Sequence, residues 1–144
     1  IELLDDIHVG IAVDTEAGLM VPVIRDAARL GLGPVVASSR ELIRRAREQR
    51  LKTSEMQGGT FTITNLGAFG IESFTPIINL PECAILGMGR IQRQPTMVGD
   101  QVVGRDRMSL SLTFDHRIVD GAPAARFLQA LVLLIENPAP WLIA

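Results

Sequence analysis

Thiol and imidazole are scarce in this chain of 144 residues, which has one cysteine, Cys83, and two histidines, His8 and His116. A lone cysteine closes no intrachain disulfide, which fits a reducing compartment. Three such side chains also make a zinc site of the usual ligand set a poor expectation, and no metal is expected. Excess charge of either sign is missing too. With 14 basic and 16 acidic residues the formal net charge is -2, far from the clustered positive field that a phosphate backbone requires. Nucleic acid is therefore not an expected partner. Long apolar runs are absent as well: stretches such as Leu131 to Ile135 are much shorter than the ~20 residues that cross a bilayer. The residues from Ile1 to Asp6 show no basic region leading into an apolar stretch, so neither a membrane span nor a signal peptide is expected.

What is present is an ordinary globular composition, 47% apolar and 21% charged. This length corresponds to one domain, which on folding buries on the order of two thirds of its extended surface. The chain starts at Ile1 and enters an apolar run within eight residues. That beginning is expected of a piece of a longer protein.

Periodicity divides the chain into alternating elements. Ile7 to Val13 is almost continuously apolar and β-branched, Asp14 to Gly18 breaks the run, and Leu19 to Ile24 resumes it. Two strands joined by a turn are predicted. From Gly33-Pro34 to about Arg50, Val35, Val36, Ser39, Leu42, Ile43 and Ala46 recur at helical spacing, with Arg40, Arg44, Arg47 and Glu48 mostly opposite. This is an amphipathic helix whose arginines read as a solvated face rather than a patch for an anion. Thr60 to Thr64 is strand-like and runs into the glycine-interrupted loop Asn65 to Gly70, the mark of a tight, specially shaped turn. Cys83 to Met88 is apolar on both sides of any pleat, as in a fully covered strand, with Cys83 packed rather than reactive. Gly99-Asp100 marks a short hairpin between Thr96-Met97-Val98 and Gln101-Val102-Val103. Met108, Leu110, Leu112 and Phe114 alternate with Ser109, Ser111 and Thr113, one face for a core and one for something polar. A last helix from Gly121 to about Glu136 carries Ala124, Phe127, Leu128, Leu131 and Ile135 on one stripe, with Asp120 as its expected N-cap.

The chemistry concentrates where the alternating strand meets that helix. In Phe114-Asp115-His116-Arg117-Ile118-Val119-Asp120-Gly121, a histidine at a strand end is flanked by charge and followed four residues later by Asp-Gly, the position where a rigid support exposes functional groups. Taken with Gly59-Thr60-Phe61-Thr62-Ile63-Thr64-Asn65-Leu66-Gly67, Thr75-Pro76-Ile77-Ile78-Asn79 and Ala84-Ile85-Leu86-Gly87, it resembles the catalytic domain of the dihydrolipoamide acyltransferases, the core subunits of 2-oxo acid dehydrogenase complexes. The likeness extends to His8–Asp14 and Gly18–Ile24 and so spans essentially the whole chain.

The resemblance implies an α/β fold like that of chloramphenicol acetyltransferase: a two-layer sandwich with a mixed β-sheet covered by helices, trimeric, with the active site in a channel between subunits. Residues 1–144 would be the C-terminal part of the catalytic domain. The lipoyl and subunit-binding domains that the family carries would then lie outside these residues, and the single lysine, Lys52, sits at a helix end in no lipoyl-like context. The implied reaction moves an acyl group from S-acyl-dihydrolipoamide to coenzyme A by direct thiolate attack. Coenzyme A is then a substrate, and its contacts are not assigned to residues. His116 is the implied general base, Thr64 the oxyanion donor acting across a subunit boundary, and Asp120 an orienting partner of the histidine. The implied partners are further copies, in trimers and larger cubic or dodecahedral cores, together with the decarboxylating and dihydrolipoamide dehydrogenase components. The implied compartment is the cytoplasm of a bacterium or archaeon, or the mitochondrial matrix of a eukaryote.

Two other enzyme classes and one non-enzyme reading compete with it. A serine hydrolase would need a G-x-S-x-G elbow, which is missing, and a cysteine acyltransferase would need Cys83 exposed beside His116. A non-catalytic core subunit, serving assembly alone, is the alternative. The apolar tail Pro138-Ala139-Pro140-Trp141-Leu142-Ile143-Ala144 needs cover, since each large apolar side chain left in water forfeits roughly 1.5–3 kcal/mol. Insertion into a neighbouring trimer is the expectation that the resemblance favours.

Overall fold

The run from Ala84 to Met88 has no polar side chain, and it lies with a strand on each side. The computed structural model describes residues 2–139. In chain order it contains β1 (Val9–Ile11), β2 (Val13–Thr15), β3 (Gly18–Met20), β4 (Val23–Ile24), α1 (Leu32–Arg47), β5 (Phe61–Asn65), β6 (Ala84–Met88), β7 (Gln92–Val98), β8 (Gln101–Arg107), β9 (Leu110–Phe114) and α2 (Gly121–Glu136). Five strands form the main sheet in the order β4-β1-β5-β6-β9. Strand β5 is parallel to both β1 and β6, whereas β4 and β9 run antiparallel at the two edges. The sheet is therefore mixed, as the α/β expectation requires. Helix α1 packs against β2 and β4, and α2 against β9. Phe127 of α2 also meets Phe61 of β5 edge-to-face, with ring centroids 5.9 Å apart, a favoured aromatic geometry.

The first predicted hairpin is present but divided. Strands β2 and β3 pair as a separate ribbon, and only β1 and β4 join the main sheet. Pro22, between β3 and β4, explains the break. Its nitrogen has no proton to donate to a ladder, although its carbonyl accepts from Ile11 N at 2.9 Å. The second hairpin is longer than predicted, because β7 and β8 have seven residues each around a turn in which Gly99 has φ 59°.

Helix α1 stops at Arg47, short of Arg50, and Gln49 just beyond it is left-handed with φ 56°. Arg44 and Arg45 sit in the last turn, where cations favour the helix dipole. Arg44 pairs with Glu41 and Glu48 at 2.7 Å each, and Arg45 donates to Glu55 at 2.7 Å. Exposed pairs of this kind add little stability, but they neutralise the basic face and support its reading as solvated surface.

Val13, Val23, Ile24, Ala46, Ala84, Ile85, Leu86 and Ala124 form the buried apolar core. Much apolar surface stays uncovered, including Ile77, Leu80, Phe127 and Leu133. The accessible area is 10117 Å², where a self-contained protein of 15.6 kDa would expose about 7,200 Å². Among the described residues no helix is long and apolar enough to cross a membrane. The C-terminal tail from Pro140 onward lies outside the described residues.

Near the end of β6 two backbone segments cross in contact. Leu66 N donates to Met88 O, and Arg90 N donates to Ile71 O at 2.7 Å. A Cβ on Gly89 would collide with the carbonyl oxygen of Glu72, and backbone on both sides leaves no room to yield. Gly89→Ala should therefore lower stability by about 1–3 kcal/mol or more. Gly33→Ala is the contrasting change: it faces open space in the first turn of α1 and should add up to ~1 kcal/mol through helix propensity. Urea midpoints of the two variants should move in opposite directions.

Candidate active site

Where β9 ends, one residue organises the loop that follows. Asp115 N donates to Cys83 O at 2.8 Å, which fastens the loop to the head of β6. Its carbonyl accepts from Ile118 N and Val119 N, both at 3.0 Å. Its carboxylate accepts from Arg117 N at 2.9 Å, Nε at 2.9 Å and Nη2 at 2.6 Å. Side-chain and then backbone hydrogen bonds from Arg117 hold the Asp115 carboxyl down to about 2. The signal for this clamp was in the sequence, an acid two residues before an arginine, but that spacing has many other uses.

The clamp leaves His116 projecting outward, with 70% of its side chain exposed. One side of the ring rests near Phe114, with centroids 5.6 Å apart. Nδ1 lies 3.9 Å from Asp120 Oδ1, too far for a hydrogen bond but close enough to attract an imidazolium. Nε2 makes no hydrogen bond among the described residues. Asp120 does occupy the N-cap position of α2, with φ -80° and ψ 160°, but its carboxylate caps no helix N–H. The expected side-chain cap is not formed. Cys83 is half-buried, and its carbonyl is taken by Asp115.

Thr64 lies elsewhere. On β5 it is paired with Gly87 of β6, which is paired in turn with Ser111 of β9. Paired residues share a sheet face, so Thr64, Gly87 and Ser111 form one row. Phe61, an odd number of residues away, points to α2, and Thr64 therefore faces the opposite side. It is half-buried, and among the described residues its hydroxyl has no hydrogen-bond partner within the protein.

The register fixes how far apart these groups are. Phe114 is paired with Ala84, three residues before Gly87. Three residues along the strand and two strand spacings put Thr64 and Phe114 about 14 Å apart, and His116 lies beyond Phe114. The structure brings His116 and Asp120 together; it does not bring Thr64 to them.

The other histidine is structural. His8 Nδ1 accepts from Asp26 N at 3.0 Å, and the ring is mostly buried. Asp6, His8 and Asp26 place three potential ligand atoms within 4.8 Å of one another, yet the imidazole nitrogen in that group is already bonded.

The family model for 2-oxoacid dehydrogenases acyltransferase (catalytic domain) matches residues 1–143. The chain belongs to this acyltransferase family. It is 52% identical over 133 residues to the dihydrolipoyllysine-residue acetyltransferase component of the acetoin cleaving system of Bacillus subtilis, covering 92% of this chain and 33% of that protein. Similar relatives also include succinyltransferase components of 2-oxoglutarate dehydrogenase complexes, one of them 45% identical and from the same Bacillus strain. Two solved structures superpose with a TM-score of 0.91 at 42% identity, each covering 96% of this chain and 57% of the other. One is the dihydrolipoamide acetyltransferase of Azotobacter vinelandii, studied for the role of a serine, a histidine and an asparagine in its catalytic mechanism. The other is the cubic core of a pyruvate dehydrogenase multienzyme complex. The acyltransferase fold is thus shared, while the chain spans about a third of the length of the Bacillus relative.

In this acyltransferase domain the Asp115 clamp has a direct spectroscopic test. A carboxyl held below its ordinary value stabilises the folded loop at pH above about 4 and loses that contribution as pH falls toward 2. The side-chain carbonyl resonance of Asp115 should titrate with a midpoint near 2. In Arg117→Ala the midpoint should return toward the ordinary aspartate value of about 3.9.

Proposed function

We propose that the chain carries the chemistry of acyl transfer between S-acyl-dihydrolipoamide and coenzyme A, with His116 as general base and Thr64 as oxyanion donor. The observation that carries this reading is a coincidence of spacing. In the Azotobacter enzyme the serine precedes the histidine by 52 positions and the asparagine follows it by four, and Thr64, His116 and Asp120 repeat both intervals. Hydroxyl replaces hydroxyl at the first position. An acid stands where the relative has an amide, so the third position need not accept a proton, and Asp120 serves to orient the imidazole.

The steps follow from ordinary acidities. A thiol of pKa about 8.5 is mostly protonated at neutral pH, and an imidazole of pKa about 6.5 is suited to take its proton. His116 Nε2 accepts the proton of the coenzyme A thiol as its sulfur bonds to the acyl carbonyl carbon. The carbonyl oxygen becomes an oxyanion and accepts a hydrogen bond from the Thr64 hydroxyl, which strengthens as charge develops. Collapse breaks the bond to the dihydrolipoamide sulfur, and that thiolate recovers the proton from the imidazolium. No acyl-enzyme forms, and Cys83 has no part in the sequence.

The separation of about 14 Å or more between Thr64 and the His116 loop means that one copy does not hold a complete site. The Thr64 hydroxyl comes from a neighbouring copy, which makes self-association a condition of activity. Larger cores follow the same pattern as the cubic relative, and the decarboxylating and dihydrolipoamide dehydrogenase components are its proposed partners in a complex.

His116→Ala should lower turnover by ~10²–10⁴-fold, and Thr64→Ala should lower kcat by ~10²–10³-fold with little change in KM. Acyl transfer within a few-fold of wild type for His116→Ala would remove His116 as the base, whereas wild type without acyl transfer would favour the scaffold reading. Co-expressing the two inactive variants provides a separate check. If each site draws on two copies in a ring, about a quarter of interfaces pair an intact His116 with an intact Thr64. Activity of the mixture should then rise to about that fraction of wild type.

A further inference from the structure

Gly87 leaves a gap in the row that runs from Thr64 to Ser111, and the gap is filled from the loop between β5 and β6. A Cβ on Gly87 would lie 3.0 Å from Phe74 Cζ and 3.2 Å from Pro76 Cδ and Cγ. The tip of the phenyl ring and the edge of the pyrrolidine ring therefore rest on bare backbone. Glycine weakens a strand interior, and close approach of another group is its usual reason for being there. Pro76 is buried and Phe74 half-buried, so the proline anchors the segment while the phenyl ring keeps an open side.

That ring lies on the same face of the sheet as Thr64, one strand away. Paired residues on neighbouring strands carry Cβ atoms about 5 Å apart, which puts Phe74 Cζ within about 8 Å of Thr64 Cβ on the same face. An acyl carbonyl accepting a hydrogen bond from the Thr64 hydroxyl has its carbon about 5 Å from the same Cβ. The acyl chain attached to that carbon begins in the space the ring bounds.

We infer that Phe74, seated on Gly87 beside Thr64, selects the acyl group, and that the group is short and apolar, of the acetyl class. The inference rests on the proposed role of Thr64. A wall of phenyl and pyrrolidine offers no hydrogen bond or opposite charge, so a carboxylate-ended chain placed against it would be desolvated without compensation. A branched chain needs more room beside the ring than an acetyl group does. Since acetyltransferases and succinyltransferases both stand among the relatives, family membership leaves the acyl group open. This wall decides it.

The test uses the purified full-length protein, with acetyl-, isobutyryl- and succinyl-coenzyme A as donors and dihydrolipoamide as acceptor, and reads kcat/KM for each. Wild type should prefer acetyl over either alternative by at least ~10-fold, the scale on which an apolar pocket sorts by one methylene or more. Phe74→Ala should raise the isobutyryl-to-acetyl ratio by ~10-fold or more. Phe74→Leu should fall between, and it decides the matter if the alanine variant fails to fold by circular dichroism. A wild type that prefers succinyl or isobutyryl would overturn the inference. So would a wild type that uses acetyl while the ratio stays within twofold in the folded Phe74 variants. Inactivity of wild type with all three donors would overturn the acyl-transfer reading itself, and this inference with it.

Discussion

Strand β6 is hydrogen-bonded to a parallel strand on one edge and an antiparallel strand on the other, and this unequal pairing distributes the polar groups. Because β5 runs alongside it, Thr64 near the end of β5 arrives at the end of β6, beside Gly87. Because β9 runs against it, the end of β9 returns to the start of β6, where Asp115 bonds to Cys83. Hydroxyl and imidazole are thus delivered to opposite ends of the same sheet. Had β9 been parallel, both would have emerged at one edge. The proposed sharing of a site between copies is a consequence of strand direction before it is a property of any side chain.

The same domain is poorly covered for its size. Helix α2 is apolar over most of its circumference, and Phe127, Leu133, Leu134 and Ile135 are about half-exposed. An amphipathic surface helix has a polar face for water; this one has almost none. Its sequence is suited to a helix with neighbours on more than one side. The loop around Ile77 and Leu80 has the same character. Apolar surface on this scale is a mark of faces that other parts of a protein or other chains cover, and the chain spans 57% of the solved chains it superposes on.

How much of this could be read in advance depended on the range of the interactions. The two helices were legible because their periodicity is local, and β6 because a strand covered on both faces needs no polar residue. The division of the first hairpin hinged on Pro22, a visible signal that the apolar run masked. His116 could be singled out from its own neighbourhood, a strand end followed by Asp-Gly. Thr64 could not: nothing in Thr62-Ile63-Thr64 distinguishes one hydroxyl from the other, and only likeness to a family chose between them. The structure adds that Thr62 is fully buried, with its hydroxyl near Asn79, whereas Thr64 is not. Phe74 was invisible for a different reason. Its importance lies in contact with a glycine thirteen residues away, and a glycine carries no trace of what it makes room for.

Strand β9 also has a place in time. A chain is synthesised from its N-terminus, and domains fold as their parts become available. Strands β1, β4 and β5 can pair before β6 exists, and β6 can add to β5, but its other edge stays open until residues 110–114 have followed the β7–β8 hairpin. The hydrogen bond from Asp115 to Cys83 forms only at that closure, and with it the loop that holds His116 out. His116, carried on that loop, is therefore among the later groups to find its place as the sheet is completed.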